Sequence, residues 1–269
     1  MSYSQFVCLS GLPRSGSTLL SAILSQNQLI HAEGNSAVCQ IMWDLQQSCV
    51  TTSKEQLGAN NRLHTIHDLI SSVPHIYYKH NHLDEKIVVD KCRSWTIPDN
   101  VEMLKKYIDN NIKVIILERP ILEIVSSFSK LYNDNNIAEP IIQQRLTLMT
   151  EPNSEPIMRS LGGIIWTKQN NQHNNFLFIS YDELISKTQE TVEKIYTFCN
   201  WEPFTHNFQN IIPKYKENDA IYKLNGQHDI RNQIVKRKYE VVIADEIIQK
   251  CTTIDTIVSK LKTNSQIVK

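Results

Sequence analysis

Residues 10–20 read SGLPRSGSTLL, and the fold turns on how this stretch is read. It has the outline of the phosphate-binding pattern G-x-x-x-x-G-K-[ST]: Gly11, Gly16 and Thr18 fit, but Ser17 stands where the pattern has lysine. A basic residue is present earlier in the loop, at Arg14. The flanks supply the context such a loop needs. Phe6, Val7, Cys8 and Leu9 form a short apolar run into Gly11, and Leu19, Leu20, Ile23 and Leu24 recur at helical spacing after it. Strand, glycine loop and helix would turn backbone N–H groups and a helix amino end toward an anion. Losing the lysine weakens the case for a magnesium triphosphate, whereas a guanidinium on the loop presents a planar fork suited to an oxyanion.

Further strand–helix alternation surrounds this unit. Residues 86–90 (KIVVD) and 112–117 (IKVIIL) read as strands, the second running into Glu118, Arg119, Pro120 and a helix through Phe128. Pro98 opens a helix through Tyr107, Ser36 caps one through Trp43 and Leu45, and residues 62–78 form another. A long helix is expected over 153–175, a fourth strand over 174–179, and helix from Tyr181 to Cys199. The Asn-rich patches 133–136 and 170–175 read as loops or helix ends. Residues 202–238 are polar with weak periodicity. The expected fold is α/β, a P-loop-like three-layer arrangement with a central parallel sheet flanked by helices. One domain over 1–269 accounts for the length, and ligands on such a sheet bind at the strands' carboxyl ends.

Composition narrows the function. At 41% hydrophobic and 21% charged the chain is ordinary for a soluble protein, and 28 basic residues balance 28 acidic ones. A net charge of zero argues against a general nucleic-acid or anionic-membrane binder, so any anion site is local. The six cysteines are scattered without a C-x-x-C pair and read as reduced thiols, Cys8 in the core. The first strand begins by Gln5, leaving no room for a targeting segment, and no run of 18 apolar residues occurs. A cytoplasmic protein without a membrane span is expected. No His, Cys and carboxylate set has metal-ligand spacing.

Residues 13–18, PRSGST, resemble the loop that holds the 5′-phosphosulfate in sulfotransferases using 3′-phosphoadenylyl sulfate (PAPS). A second likeness is independent of the first. In that family an arginine ending a later strand and a serine eight residues on, in the following helix, hold the 3′-phosphate. Here Arg119 ends the strand and Ser127 follows at that spacing, about two turns along the helix. Taken alone, Arg119 also reads as a helix-end partner for Glu123. Residues 88–93, VVDKCR, resemble the strand and phosphosulfate-holding lysine of the bacterial and tyrosylprotein-type branch, and 181–184 resemble a structural turn of the family. The resemblance covers most of residues 5–200. The cytosolic small-molecule branch carries an Arg-Lys-Gly segment near its C-terminus that this chain lacks; LNGQHDIR at 224–231, then Lys236, Arg237 and Lys238, stand in its place. Arg231 either serves the 3′-phosphate or belongs to a solvated surface.

The resemblance implies sulfuryl transfer from PAPS to a hydroxyl or amine acceptor, with 3′,5′-ADP released. Arg14, Ser15, Gly16, Ser17 and Thr18 would bind the 5′ end, Arg119, Ser127 and Arg231 the 3′-phosphate. Arg14 and Lys91 would neutralise charge growing on the leaving phosphate. A base must accept the acceptor's proton. Glu33, just after the first helix, is the first candidate and His31 the second; an ordinary turn carboxylate is the competing reading. His64, His67, His75, His80 and His82 form no motif, His228 and Asp229 lie in a loop that could face the acceptor, and Trp95 reads as packing rather than an adenine platform. Two other functions stay open: a kinase-like phosphotransferase using Asp90 for Mg²⁺, and a 3′,5′-ADP-binding protein without catalysis. The acceptor's class and the oligomeric state have no signature; acceptor specificity would lie in 31–62, 79–83, 133–153 and 202–238.

Overall fold

In the computed structural model, residues 3–79, 86–171, 174–235 and 242–260 are described. Strands β1 (Gln5–Gly11), β2 (Ile30–Asn35), β3 (Ile87–Lys91), β4 (Lys113–Glu118) and β5 (Phe176–Ser180) form one sheet in the order β2-β3-β1-β4-β5. Every neighbouring pair is parallel. A parallel sheet needs crossovers, and these cover both faces, so strands carry apolar residues on both sides. Along β1, Phe6 and Cys8 enter one core with Val88, Val114 and Ile116. Val7 and Leu9 enter the other with Val89, Ile115 and Leu117. Each fully buried Val, Leu or Ile contributes about 1.5–3 kcal/mol.

The second face is closed by α1 (Ser17–Leu24) and α10 (Thr188–Cys199), with α9 (Tyr181–Ser186) between β5 and α10. The first is closed by α2 (Val38–Val50), α4 (Ile66–Tyr77), α5 (Pro98–Tyr107), α6 (Ile121–Asp134), α7 (Glu139–Met149), α8 (Met158–Gln169) and α11 (Asp245–Ser259). A short α3 (Lys54–Ala59) links α2 to the 3₁₀ turn before α4. The expected α/β three-layer architecture is therefore the observed one.

The structure differs from the sequence reading in four places. Ser36, expected as a helix cap, lies before Ala37, the cap position of α2, and its hydroxyl donates to Asp90. Residues 30–35, read as the stretch after the first helix, form edge strand β2. In their pattern IHAEGN only Ile30 and Ala32 alternate with His31 and Glu33 before Gly34 ends the run, too short a signal to mark a strand; pairing with β3 fixes it, and the register shifts between Ala32 and Asn35. The helix expected over 153–175 is the shorter α8. Asn153 takes a left-handed φ of 60° and Pro156 disfavours helix at the residue before it, which delays the start. Helices α3, α7 and α11 carry no reading from the sequence. The Asn-rich ends behave as expected: Asn136 and Asn174 have φ of 55° and 51°.

At the end of β3, Asp90 is fully buried and accepts hydrogen bonds from Ser36 Oγ (2.6 Å), Trp95 Nε1 (2.7 Å) and Tyr78 Oη (2.8 Å). Burial pushes its carboxyl up, and the three donors pull against that. Trp95 is thus core and cross-link, as its packing reading holds. The network ties α2, α4 and the 3₁₀ turn Arg93–Thr96 to the strand that delivers Lys91. Replacing Asp90 with Ala leaves three buried donors without an acceptor and should lower unfolding stability by about 3 kcal/mol. A urea transition with an unchanged midpoint would show that the network does not hold the sheet edge.

Candidate active site

Strand β1 leads into the loop at a close backbone approach. A Cβ on Gly11 (φ 137°) would lie 2.3 Å from the Leu117 carbonyl oxygen, which itself accepts a hydrogen bond from Leu12 N at 2.9 Å. Ser15 Oγ donates to the Leu12 carbonyl at 2.5 Å, closing the turn. Gly16 precedes α1 at φ 94°, and a Cβ there would meet Leu184 Cδ2 at 2.9 Å. Arg14 is left-handed too, at φ 58°. The first turn of α1 carries no carboxylate and no side-chain cap, leaving its amides to face a cavity of about 350 Å³.

That cavity is lined by Arg14, Gly16, Ser17, Thr18, Lys91, Arg119, Ser127 and Arg231, so nearly all the residues expected to bind anions share one space. Ser15 is buried in the turn beneath them. Arg119 and Ser127 are both buried. Arg119 Nη1 donates to the Arg14 carbonyl at 2.8 Å, its Nε to Glu123 at 3.0 Å, and its guanidinium lies 4.0 Å from the centre of the Tyr181 ring. The helix-end pairing with Glu123 thus coexists with placement in the cavity. Arg14 Nε donates to Ser127 Oγ at 3.1 Å, and its Nη1 to the Gln227 carbonyl. Its side chain therefore reaches toward Ser127 instead of staying over the loop. Arg231 is exposed at the rim, while Lys236, Arg237, Lys238, His80 and His82 lie outside the described residues.

Lys91 ends β3 with its side chain only 4% exposed. Its Nζ lies 2.8 Å from Glu217 Oε1 and 3.5 Å from Thr18 Oγ1. Burial pulls Lys91 down and the Glu217 charge opposes it. Glu217 is itself held low: burial pushes its carboxyl up, but the Lys91 charge and hydrogen bond, with His228 and the Asn35 backbone, outweigh it. Burial is the largest single influence on both groups; for the lysine it prevails, for the carboxylate the partners together outweigh it. The short charge-assisted bond fixes the pair as ionic.

Next to this lies a smaller cavity of about 290 Å³, which Glu33 lines together with Thr18, Lys91, Glu217 and His228. His31 lines neither cavity. It is buried behind Glu33, with Nε2 3.1 Å from Glu33 Oε2 and Nδ1 3.0 Å from Tyr215 Oη. His228, in contrast, lines both cavities. Asp219 Oδ1 holds its Nδ1 at 2.6 Å and Asp219 Oδ2 accepts its backbone N–H at 3.0 Å, an arrangement that fixes the ring. Glu217, Asp219 and Tyr215 were not singled out from the sequence. They lie in the aperiodic segment 202–238, and the Lys91–Glu217 contact bridges 126 positions, so no local signal marks them.

Asp90, the carboxylate open to a magnesium role, has its oxygens taken by Ser36, Tyr78 and Trp95. Among the described residues, no group of three or more His, Cys, Asp or Glu side chains is placed to hold a metal ion, and no helix is long and apolar enough to cross a membrane.

A family profile described as "Sulfotransferase family" matches residues 7–206. No curated protein matches the chain significantly. Solved structures similar in fold include a sulfotransferase domain from the curacin biosynthetic pathway, 16% identical with a TM-score of 0.54, over 94% of this chain and 98% of that one. A sulfotransferase from Alicyclobacillus acidocaldarius is 10% identical, TM-score 0.54, over 96% of this chain and 93% of that one. A mouse sulfotransferase complexed with PAP is 14% identical, TM-score 0.51, over 99% and 87%. At such identities the structures speak for the fold alone. The profile spans roughly three quarters of the sequence, from β1 past β5 with the loop, Lys91, Arg119 and Ser127 inside it, and on that ground the chain belongs to the sulfotransferase family.

Proposed function

We propose that the protein transfers a sulfuryl group from PAPS to a hydroxyl or amine acceptor and releases 3′,5′-ADP. The observation that carries this reading is the convergence of loop 12–18, Lys91, Arg119 and Ser127 on one cavity. Two arginines, a lysine, three hydroxyls and the amides of α1 make a donor set that fits a nucleotide with anions at both ends. The loop amides with Ser17 and Thr18 take the 5′ end. Arg119 and Ser127 take the 3′-phosphate, Arg231 closes over it from the rim, and Arg14 stands between the two ends. The departure from the Arg-Lys-Gly segment favours the bacterial and tyrosylprotein-type branch, in one domain over the whole chain. Six free cysteines suit a cytoplasmic setting.

In the transfer, the acceptor oxygen or nitrogen forms a bond to sulfur in line with the breaking bond to the phosphate oxygen. The electron pair of that broken bond stays on the 5′-phosphate of 3′,5′-ADP. Lys91, desolvated and beside Thr18, meets this charge where a fixed cation is worth most. The acceptor's proton goes to Glu33, which lines the smaller cavity with His31 behind it, or to His228, which Asp219 orients. A kinase-like reading loses its magnesium carboxylate to the Asp90 network, and a purely binding role would not call for the Glu33 and His228 side chains that line the adjoining cavity.

Calorimetric titration tests the donor class. 3′,5′-ADP should bind without a metal and far better than 5′-AMP, and Arg119→Ala should weaken it by about 30- to 100-fold, the value of a charged hydrogen-bond pair. Equal affinity for the two nucleotides, or binding of ATP only with Mg²⁺, would sink the reading. Lys91→Ala should lower the rate of 3′,5′-ADP release from PAPS with an acceptor by about 100- to 1,000-fold. With an acceptor identified, Glu33→Gln and His228→Gln separate the two bases: the variant that loses kcat while keeping its 3′,5′-ADP affinity names the proton's destination.

A further inference from the structure

Resting on the PAPS reading, we propose that Glu217 is a built-in counter-anion that occupies Lys91 in place of the donor's 5′ anionic group and is displaced when the donor binds. Glu217 thereby sets donor affinity. An ammonium as buried as Lys91 needs an anion against it at all times, since an unpaired buried charge is strongly destabilising. In the free protein that anion is Glu217 Oε1, 2.8 Å from Nζ. The Lys91 ammonium also lies beside Thr18 at the head of the loop, where the donor's phosphate is expected. Two carboxylate-like charges sharing one partly desolvated ammonium repel, so the second anion drives out the first.

Three features make Glu217 suited to leaving. It comes from a segment with no helix or strand between α10 and the 3₁₀ turn Asp219–Tyr222. Its other oxygen, Oε2, is held by groups near the mouth of the site: Asn35 Nδ2 at 3.1 Å, Tyr222 Oη at 3.4 Å and His228 Nε2 at 3.5 Å. These can keep hold of the carboxylate as it swings off Lys91. Finally, its seat exists only because residue 34 is glycine: a Cβ there would lie 2.2 Å from Glu217 Cγ and 2.7 Å from Oε1. The displaced carboxylate would also stand beside His228, between the two cavities, so donor binding would alter the wall facing the acceptor.

Two variants relieve Lys91 of the Glu217 charge by different means. Glu217→Gln removes the competing charge and keeps the shape; Gly34→Ala keeps the charge and fills the seat. Both are compared with the wild-type protein in calorimetric titrations with 3′,5′-ADP and with adenosine 3′-monophosphate, after thermal unfolding shows that they are folded. The expected result is about tenfold tighter 3′,5′-ADP binding in each variant, the competition with Glu217 having been removed, and unchanged affinity for the 3′-monophosphate, which has no 5′ anion. Unchanged or weaker 3′,5′-ADP binding in the folded variants would overturn the proposal and make Glu217 a support for Lys91. Equal tightening of both nucleotides would overturn it too, as a general loosening of the loop. If the wild-type protein does not prefer 3′,5′-ADP to 5′-AMP, the donor assignment itself fails, and this inference with it.

Discussion

The backbone contact between Gly11 and Leu117 is the constraint on which the site depends. A parallel sheet brings the carboxyl ends of all its strands to one edge, and the central strand must turn there without a side chain between itself and β4. Because β1 ends against Leu117, the loop turns over the sheet at a fixed height, and α1 starts with its amides facing the cavity. Lys91 at the end of β3 and Arg119 just past β4 then arrive on either side of the loop. The strand order makes this inevitable. After β3 the chain crosses from one side of β1 to the other, and the crevice between the two halves is where a ligand has room.

Charge is arranged on the same local principle. A chain with no net charge assembles a cationic cavity by giving its buried cations carboxylate partners from elsewhere in the structure. Glu123 meets Arg119 from the following helix, while Glu217 meets Lys91 from a distant loop. The first pair lies on the outer side of the guanidinium and leaves its Nη1 on the loop. The second lies directly on the ammonium. These pairs lower the cost of keeping cations out of water, yet they differ in how much of the cation they cover.

What could be read from the sequence was whatever short spacing dictates. Gly11, Gly16 and Arg14 fall in one turn, and Arg119 and Ser127 in one strand-to-helix junction, so residue type and local geometry place them together. Edge strand β2 escaped because its alternation, Ile30 and Ala32 against His31 and Glu33, stops after four residues at Gly34; its identity comes from pairing with β3. His31 was legible as a residue near the site but not as a buried one, since its burial depends on Tyr215, far along the chain. Glu217 and Asp219 were invisible for the same reason. Aperiodic segments take their shape from tertiary contacts, and single-chain patterns carry no trace of those.

Helix α11 bears on the site without touching it. Its Asp255 carboxylate accepts hydrogen bonds from the backbone of Ile121 at 2.7 Å and Leu122 at 3.3 Å, closing the amino end of α6. The positive pole of that helix is therefore already engaged by the chain's own carboxylate, unlike that of α1. The two ends of the cavity thus differ in material: helix amides add to the side chains of Ser17, Thr18 and Lys91 at the loop, whereas side chains alone serve at Arg119 and Ser127. Amides are common to every residue and survive most substitutions, whereas a guanidinium is lost by a single codon change. The loop end therefore tolerates exchange of its side chains wherever no close backbone approach demands glycine, whereas the other end is altered by one substitution at Arg119.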